Sequence, residues 1–214
     1  MTTPYRQAYD RANQSRLQPY KKDGVEFSFL PFGKRREQIE CELFDCMGDK
    51  DIWNSEWMKM NVHDVPDITF ILKDEKPIGV VSFENLPFRQ SIDSEKGVTI
   101  QVNFVYLLPE YRGQGVSKLI CGYVVDMAMA GMTSSAQASL LNAGDKMVMG
   151  LDMECISNEG FKFHGRLKST LEAELERIYL SSEPLSEISI EIKDFSDLGG
   201  FEIEKVKSAP QLKH

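Results

Sequence analysis

The chain has 214 residues, of which 42% are hydrophobic and 27% are charged, and its formal net charge is −8. This length and apolar content fit one soluble globular domain with short extensions. The negative charge argues against a general nucleic-acid binder, because phosphate binding depends on Lys and Arg. No uninterrupted apolar run approaches the roughly 20 residues that span a bilayer, and the polar N-terminus lacks the apolar core of a secretory signal. We therefore expect a cytoplasmic protein with no membrane or nucleic-acid partner.

Cysteine usage agrees with a reducing compartment. Four Cys in 214 residues do not make a disulfide-dense scaffold. Cys41 and Cys46 have no second Cys or His pair at zinc-ligand spacing nearby, so the sequence predicts no metal site. We interpret all four Cys as small core or surface residues.

The polar ends of the chain flank one predicted domain. Residues 1–24 contain too few apolar side chains for a core of their own and are predicted to form an N-terminal arm. The domain then covers residues 25–207. Residues 208–214 form a C-terminal tail.

Hydrophobic periodicity predicts strands and helices that alternate along this domain. Strands are predicted where β-branched and aromatic residues cluster or alternate, from Val25 and at 67–72, 77–86, 98–108, 146–156, 188–195 and 201–207. The short connections predict an antiparallel hairpin for the second and third strands and another that closes the domain. Helices are predicted from apolar residues at helical spacing, at 35–47, around Trp53 to Met60, from Val116 to a stop at Gly131, and along Leu167 to Ile178. This order predicts an α/β (α+β) architecture, a mixed sheet with helices on its faces.

The segment most informative about function is LPEYRGQGVS at 108–117, between a predicted strand and the clearest helix. A strand that enters a Gly-containing turn and then a helix presents free backbone N–H groups and the positive end of the helix dipole, which suit a phosphate. Gly113 and Gly115 let the backbone approach a ligand closely, Arg112 adds a cation, and Ser117 adds a hydrogen-bond donor. The sequence therefore predicts an anion site. The alternative is a Gly-containing helix start without a ligand.

This segment resembles the acetyl-CoA site of the GNAT acyltransferase superfamily, where a strand ending in Pro precedes [Gln/Arg]-x-x-Gly-x-[Gly/Ala]. The run VNFVYLLPEYRGQGVSKLI is similar to that strand, turn and helix, with Ser117 where Gly or Ala is usual. The order of elements from about Val25 to Lys207 is also similar to that of the whole family domain. The resemblance implies a GNAT-like mixed, mostly antiparallel sheet flanked by helices.

The resemblance also implies which residues bind acetyl-CoA. Backbone amides of the turn and the helix start would hold the pyrophosphate, at Arg112, Gly113, Gln114, Gly115, Val116 and Ser117. Main-chain groups of the preceding strand would pair with pantetheine like an added strand, at Val105, Tyr106 and Leu107. Asn158 matches a position near the pantetheine arm where the family often has Asn.

Two residues are candidates for the catalytic base and the catalytic acid. Some family members place a Glu base on the strand at 98–108, but this chain has no carboxylate there, and Glu84 on the preceding strand is the nearest substitute. The alternative for Glu84 is a solvent-facing strand residue. The family often has a Tyr acid in the helix after Asn158, where this chain offers His164. The alternative for His164 is an exposed helical residue.

The resemblance implies an N-acetyltransferase that moves an acetyl group from acetyl-CoA to a primary amine of a small molecule or protein. The negative net charge favours a cationic acceptor. The alternative is a non-catalytic acyl-CoA-binding sensor or accessory protein with the same fold. A third alternative is a structural module without a ligand. The expected assembly is a monomer or a homodimer.

Overall fold

Among the residues that the structure describes, seven strands form one mixed sheet packed between helices. The computed structural model describes residues 19–47, 62, 68–87, 96–138, 146–155, 157–180 and 189–196. The strands are β1 (Tyr20–Lys22), β2 (Val25–Phe29), β3 (Ile68–Lys73), β4 (Lys76–Pro87), β5 (Lys96–Leu107), β6 (Lys146–Met153) and β7 (Ser189–Asp194). The helices in these residues are α1 (Lys34–Met47), α2 (Val116–Ala138) and α3 (Asn158–Tyr179), and a short 3₁₀ turn spans Pro109–Tyr111.

The strands lie in the sheet in the order in which they occur along the chain. Neighbouring strands from β1 to β5 are antiparallel, whereas β5 with β6 and β6 with β7 are parallel. The turn between β3 and β4 places Asp74 and Glu75 at φ 51° and 64°, the left-handed values of a tight hairpin turn. The parallel pairs instead require the long crossovers that contain α2 and α3. The predicted class, a mixed and mostly antiparallel sheet with flanking helices, is therefore confirmed.

Each face of the sheet has its own hydrophobic core. Helices α2 and α3 cover one face, where Val81 and Phe83 of β4 contribute buried side chains. Helix α1 covers the other face, where the alternate residue Val80 is buried. Within α2, Val116–Thr133 is apolar enough by length and composition to cross a membrane, but 56% of it is buried. Its contacts with α3, β4 and β5 make it the central core helix of this domain.

The sheet begins earlier than the sequence predicts. Strand β1 lies inside the segment predicted to be a polar arm, and it pairs with β2 through a turn at Asp23 and Gly24, where φ is 50° and 76°. The Tyr20 ring packs against Phe27 and Tyr123, and its hydroxyl donates a hydrogen bond to Asp126. Burial and the Asp126 carboxylate both raise the pKa of this hydroxyl. One aromatic anchor thus attaches an otherwise polar strand, which a composition argument cannot detect.

One further expectation on element boundaries needs correction, and three others lie outside the described residues. Helix α2 continues through Gly131 to Ala138 because its apolar stripe continues to the buried Met132, and this packing outweighs the roughly 1 kcal/mol that a helical Gly costs. Strand β7 pairs in parallel with β6. The helix predicted around Trp53 to Met60, the centre of the loop predicted at 87–97 and the strand predicted at 201–207 lie outside the described residues.

Candidate active site

Strands β5 and β6 separate in the middle of the sheet. They pair in parallel from Lys96 with Met147 to Val102 with Met153, where β6 ends. Strand β5 continues to Leu107 and there pairs with β4. The part of β5 after Val102 therefore has an open edge among the described residues, on the side where β6 would otherwise continue.

A β-bulge at Asn103 marks the start of this open edge. Ser82 pairs with Phe104 and the next residue, Phe83, pairs with Val102, so Asn103 is the extra residue on β5. The Asn103 amide donates to the Ser82 hydroxyl at 3.2 Å and to a Glu84 carboxylate oxygen at 3.4 Å. The bulge thus places Asn103 on the α1 face together with Ser82 and Glu84.

The direction of the backbone groups along the open edge follows from one hydrogen bond. Leu108 donates its N–H to the carbonyl of Ile78 on β4, at 2.9 Å. Because successive residues of a strand alternate, Tyr106 also directs its main-chain groups to β4, while those of Val105 and Leu107 face the gap. The Leu107 carbonyl already accepts a hydrogen bond from Arg112, at 2.9 Å. The N–H and C=O of Val105 and the N–H of Leu107 remain directed into the gap.

The glycine turn leads from this edge into α2. Gly113 and Gly115 have φ of 77° and 82°, a left-handed conformation that other residues adopt at a cost of about 1–2 kcal/mol. A Cβ at either position would meet no atom within 4 Å, so conformation and not crowding requires glycine here. The Arg112 guanidinium lies 5.5 Å from the centre of the Tyr106 ring and ties the turn to β5. The result is an open cradle of backbone N–H groups at the start of α2.

The start of α3 lies at the same end of the sheet, because β5 and β6 are parallel and each leads into its helix there. The Ser157 hydroxyl caps α3 by accepting from the Gly160 N–H at 3.0 Å. Asn158 is the first residue of α3 and is exposed. The predicted pantetheine-side residue thus follows directly after the strand that ends at the gap.

A row of polar side chains crosses the α1 face beside the gap. Glu84 on β4 pairs with Gln101 on β5, and Gln101 pairs with Asp152 on β6. Paired residues share a face of the sheet, so the Gln101 side chain lies about 5 Å from each of the other two. All three are partly exposed. Two carboxylates therefore flank Gln101, immediately before β5 and β6 separate.

Asp152 is a candidate that sequence reasoning missed. The segment at 146–156 reads as a buried strand, so a single Asp in it carries no evident role. Only the register of β4, β5 and β6 brings Asp152 into line with Glu84. The available signal was the position of Asp152 between the apolar residues Leu151 and Met153, because successive strand residues point to opposite faces of the sheet.

The structure places His164 away from this row and in the core. Its side chain is 6% exposed, and its Nε2 lies 3.2 Å from the Asp194 carboxylate on β7. Lys168, one turn further along α3, contacts the same carboxylate at 3.1 Å. The expectation of an exposed helical residue is therefore wrong, because His164 continues the buried stripe of α3 that includes Leu167 and Leu171.

The contacts with Lys168 and His164 lower the pKa of Asp194. Burial alone would raise that pKa, but hydrogen bonds from Lys168, Ser196 and His164 outweigh it, and the pKa falls from 3.8 to about 2. A carboxylate whose pKa is lower in the folded state stabilises the fold above its unfolded pKa, and that stabilisation is lost as the pH falls through the folded value. The full shift corresponds to about 2.5 kcal/mol, which solvent screening reduces because the side chain is 23% exposed.

Replacing Asp194 with Asn should therefore lower the free energy of unfolding by about 1 kcal/mol at pH 7. The difference from the wild type should narrow between about pH 5 and pH 2, where the unfolded and then the folded carboxylate is protonated. Urea unfolding followed by circular dichroism across this pH range measures the difference in free energy of unfolding. Glu191→Gln on the same strand is the control and should change little, because its contact with Lys146 is exposed. A difference that does not depend on pH would contradict the assignment.

A known protein family matches the region around the gap between β5 and β6. The model of the acetyltransferase (GNAT) family matches residues 35–139, about half of the chain, from α1 to the end of α2. None of the curated protein sequences matches significantly. The described residues contain no group of three His, Cys, Asp or Glu side chains that would hold a metal ion.

Several solved structures are similar to parts of this chain at low identity. A ribosomal-protein-alanine N-acetyltransferase from Brucella melitensis biovar Abortus 2308 is 16% identical over 67% of this chain and 90% of its own, with a TM-score of 0.38. A GCN5-related N-acetyltransferase from Kribbella flavida is 16% identical over 50% of this chain and 28% of its own, with a TM-score of 0.33. An aminoglycoside acetyltransferase from an uncultured soil metagenomic sample is 14% identical over 51% and 74%, with a TM-score of 0.31.

These TM-scores are low, so the assignment rests on three other observations. The family model covers the strand, turn and helix of the motif. The sheet has the predicted mixed topology. Its open edge leads into the glycine turn at the start of α2. Residues 35–139 of this chain therefore belong to the GNAT acetyltransferase family.

Proposed function

We propose that this protein transfers an acetyl group from acetyl-CoA to a primary amine. The observation that carries the proposal is the open edge of β5, which leads directly into the glycine turn and the start of α2. An extended pantetheine arm fits beside a strand edge, and a pyrophosphate fits at a helix N-terminus. The pantetheine arm would therefore lie along β5 and the pyrophosphate at the start of α2, in the same order as along the CoA molecule.

The open edge selects the main-chain groups that would pair with pantetheine. Val105 directs both its N–H and its C=O into the gap, and Leu107 directs its N–H there, by the alternation along β5. The thioester then lies near the bulge at Asn103, at the point where β5 and β6 separate. A backbone N–H on this edge is suited to stabilise the oxyanion.

The polar row supplies the other requirements of the reaction. A neutral amine attacks the thioester carbon, the C–N bond forms, the C–S bond breaks, and the sulfur leaves as a thiolate that takes up a proton. The amine must first lose the proton that it carries as an ammonium ion. Glu84 is the proposed base, acting through a water molecule, and Asp152 adds a second carboxylate for binding a cationic acceptor.

The acceptor class follows from the same row. Two carboxylates flanking Gln101 attract an ammonium group, and the net charge of −8 acts in the same direction over longer distances. We therefore propose an acceptor with more than one cationic group, either a small polyamine or a basic protein terminus. A cytoplasmic location and a monomeric or dimeric state remain predictions from the sequence.

Thiol release with acetyl-CoA and a panel of amines tests this function. The panel contains a polyamine, an aminoglycoside, a peptide with a free N-terminus and a Lys-containing peptide with a blocked N-terminus. We expect acceptor-dependent release of CoA with at least one of them, with the cationic small molecules or basic peptides preferred. Calorimetric binding of CoA without turnover on any acceptor would favour the accessory-protein alternative, and no binding at all would refute the proposal.

A further inference from the structure

The first turn of α2 carries an unusual charge for the start of a helix. Carboxylates normally stabilise this end because the helix dipole makes it positive, whereas cations destabilise it. The first turn of α2 contains no acidic residue and includes Lys118. A second cation, Arg166, reaches the same turn from α3. Two cations therefore meet a positive helix end in a chain whose net charge is −8.

Arg166 is held at this turn by a contact that joins α3 to α2. Its Nη1 donates a hydrogen bond to the hydroxyl of Ser117, the second residue of α2. Burial raises the pKa of the nearby Cys121 thiol to about 12, and the charge of Arg166 opposes that rise. Among the described residues Arg166 forms no ion pair with a carboxylate. Its positive charge is therefore not neutralised within this part of the protein.

The arginine of the sequence motif is engaged elsewhere. Arg112 donates to the Leu107 carbonyl and lies over the Tyr106 ring, so it connects the turn to the end of β5. Its role is to shape the cleft where pantetheine is proposed to bind. Arg166 is the guanidinium that contacts the first turn of α2, through the hydroxyl of Ser117.

We propose that Arg166 binds the pyrophosphate of acyl-CoA and that Ser117 positions it, an inference that rests on the proposed function. An anion between the guanidinium and the helix N-terminus converts their mutual repulsion into two attractions. A guanidinium suits this role because its N–H groups match phosphate oxygens in geometry. Ser117 stands where the family motif has Gly or Ala, so its hydroxyl is a feature of this chain that the motif does not require.

Replacing Arg166 with Gln should weaken CoA binding about 10- to 30-fold at low salt. Calorimetry with CoA, 3′-dephospho-CoA and pantetheine separates the phosphate groups. Dephospho-CoA keeps the pyrophosphate and should lose affinity by the same factor as CoA. Pantetheine has no phosphate and should bind wild type and variant equally. Added salt should shrink the difference because the guanidinium is exposed.

Arg177→Gln is the matched control, because it removes the same charge from the same helix. Arg177 pairs with Glu174 at 2.7 Å and lies about 16 Å further along α3. This variant should bind CoA like the wild type. Unchanged CoA affinity in a folded Arg166→Gln variant would overturn the inference, and so would a loss confined to CoA, which would point to the 3′-phosphate. Failure of the wild type to bind CoA would refute the proposed function and this inference with it.

Ser117→Ala tests the positioning role. The variant should fold, since the family itself carries small residues here, and it should weaken CoA binding about 3-fold by releasing Arg166. In the Arg166→Gln background the same change should have no further effect, because Ser117 acts through Arg166. Fully additive losses would mean that Ser117 contacts the ligand directly, and they would overturn its role as a positioning residue.

Discussion

Replacing Gly115 with Glu should lower the affinity for CoA by at least about 100-fold. Gly115 lies in the turn that enters α2, and a side chain built there points into open space rather than into the protein. A carboxylate in that space would occupy the proposed phosphate position and repel the phosphate, and like charges in contact cost several kcal/mol. A 100-fold loss corresponds to about 2.7 kcal/mol. Calorimetry with CoA measures the loss, and circular dichroism verifies that the variant is folded.

Gly24→Glu is the matched control for this experiment. Gly24 lies in the turn between β1 and β2, with φ of 76° and no atom within 4 Å of a built Cβ, which are nearly the conditions at Gly115. The control therefore introduces the same charge and a similar backbone strain away from the proposed site. It should keep the wild-type affinity. A folded Gly115→Glu variant that binds CoA as well as this control would refute the pyrophosphate site.

The sequence was informative wherever structure depends on neighbouring residues. The two-residue turn at Asp74 and Glu75 is polar and lies between two β-rich runs, so the hairpin is evident. The helical stripe after Val116 and the two glycines before it define the strand, turn and helix of the motif in one continuous segment. The anion site was predictable because its parts are contiguous.

The rest depends on contacts between distant residues. His164 and Asp194 are 30 residues apart, and Arg166 and Ser117 are 49 residues apart, so no local pattern reports either contact. The position of His164 had one local signal, since it lies three residues before Leu167 and continues the buried stripe of α3 backwards. Arg166 had no such local signal. Exposed Arg residues are common on helices, and only the packing of α3 against α2 reveals the contact of Arg166 with Ser117.

The position of Glu84 in the polar row also depends on residues that are distant in sequence. Glu84 was a candidate because of its strand, but its distance from the reacting group depends on the register of β4 and β5. The bulge at Asn103 shifts that register by one residue, and it brings the Asn103 amide to the Glu84 carboxylate. Bulges rarely leave a signature in a single sequence. The structure was therefore needed to relate Glu84 to the gap between β5 and β6.

Glu84→Gln should lower kcat/KM about 10²- to 10⁴-fold with the best acceptor from the amine panel, because a positioned base contributes a factor of this size. The substitution keeps the shape of the side chain and an oxygen that can accept from Asn103, so folding should be unaffected. The effect should fall on kcat, since CoA binding does not involve this residue. The pH profile over about pH 6 to 9 should also lose its dependence on an ionised enzyme base.

Two companion variants separate a base from a binding carboxylate and from a structural residue. Asp152→Asn should raise KM for a cationic acceptor and leave kcat nearly unchanged, because Asp152 is proposed to bind the acceptor rather than to take its proton. His164→Phe should lower stability and keep the pH profile of the wild type, because the ring of His164 is buried and its Nε2 already contacts Asp194. The sequence-derived role of His164 as the acid predicts the opposite, a loss of rate in a stable protein.

The pattern across the three variants decides the mechanism. If Glu84→Gln alone lowers kcat and changes the pH profile, the base lies on β4, and its position depends on the bulge in β5. If His164→Phe changes the pH profile, the half-buried pair of His164 and Asp194 must open during turnover, and His164 regains its role as the acid. If Glu84→Gln and His164→Phe both keep wild-type rates and profiles, neither residue is catalytic. Proton removal then falls to solvent or to the acceptor itself, and rate enhancement comes from the position of the thioester at the open edge of β5.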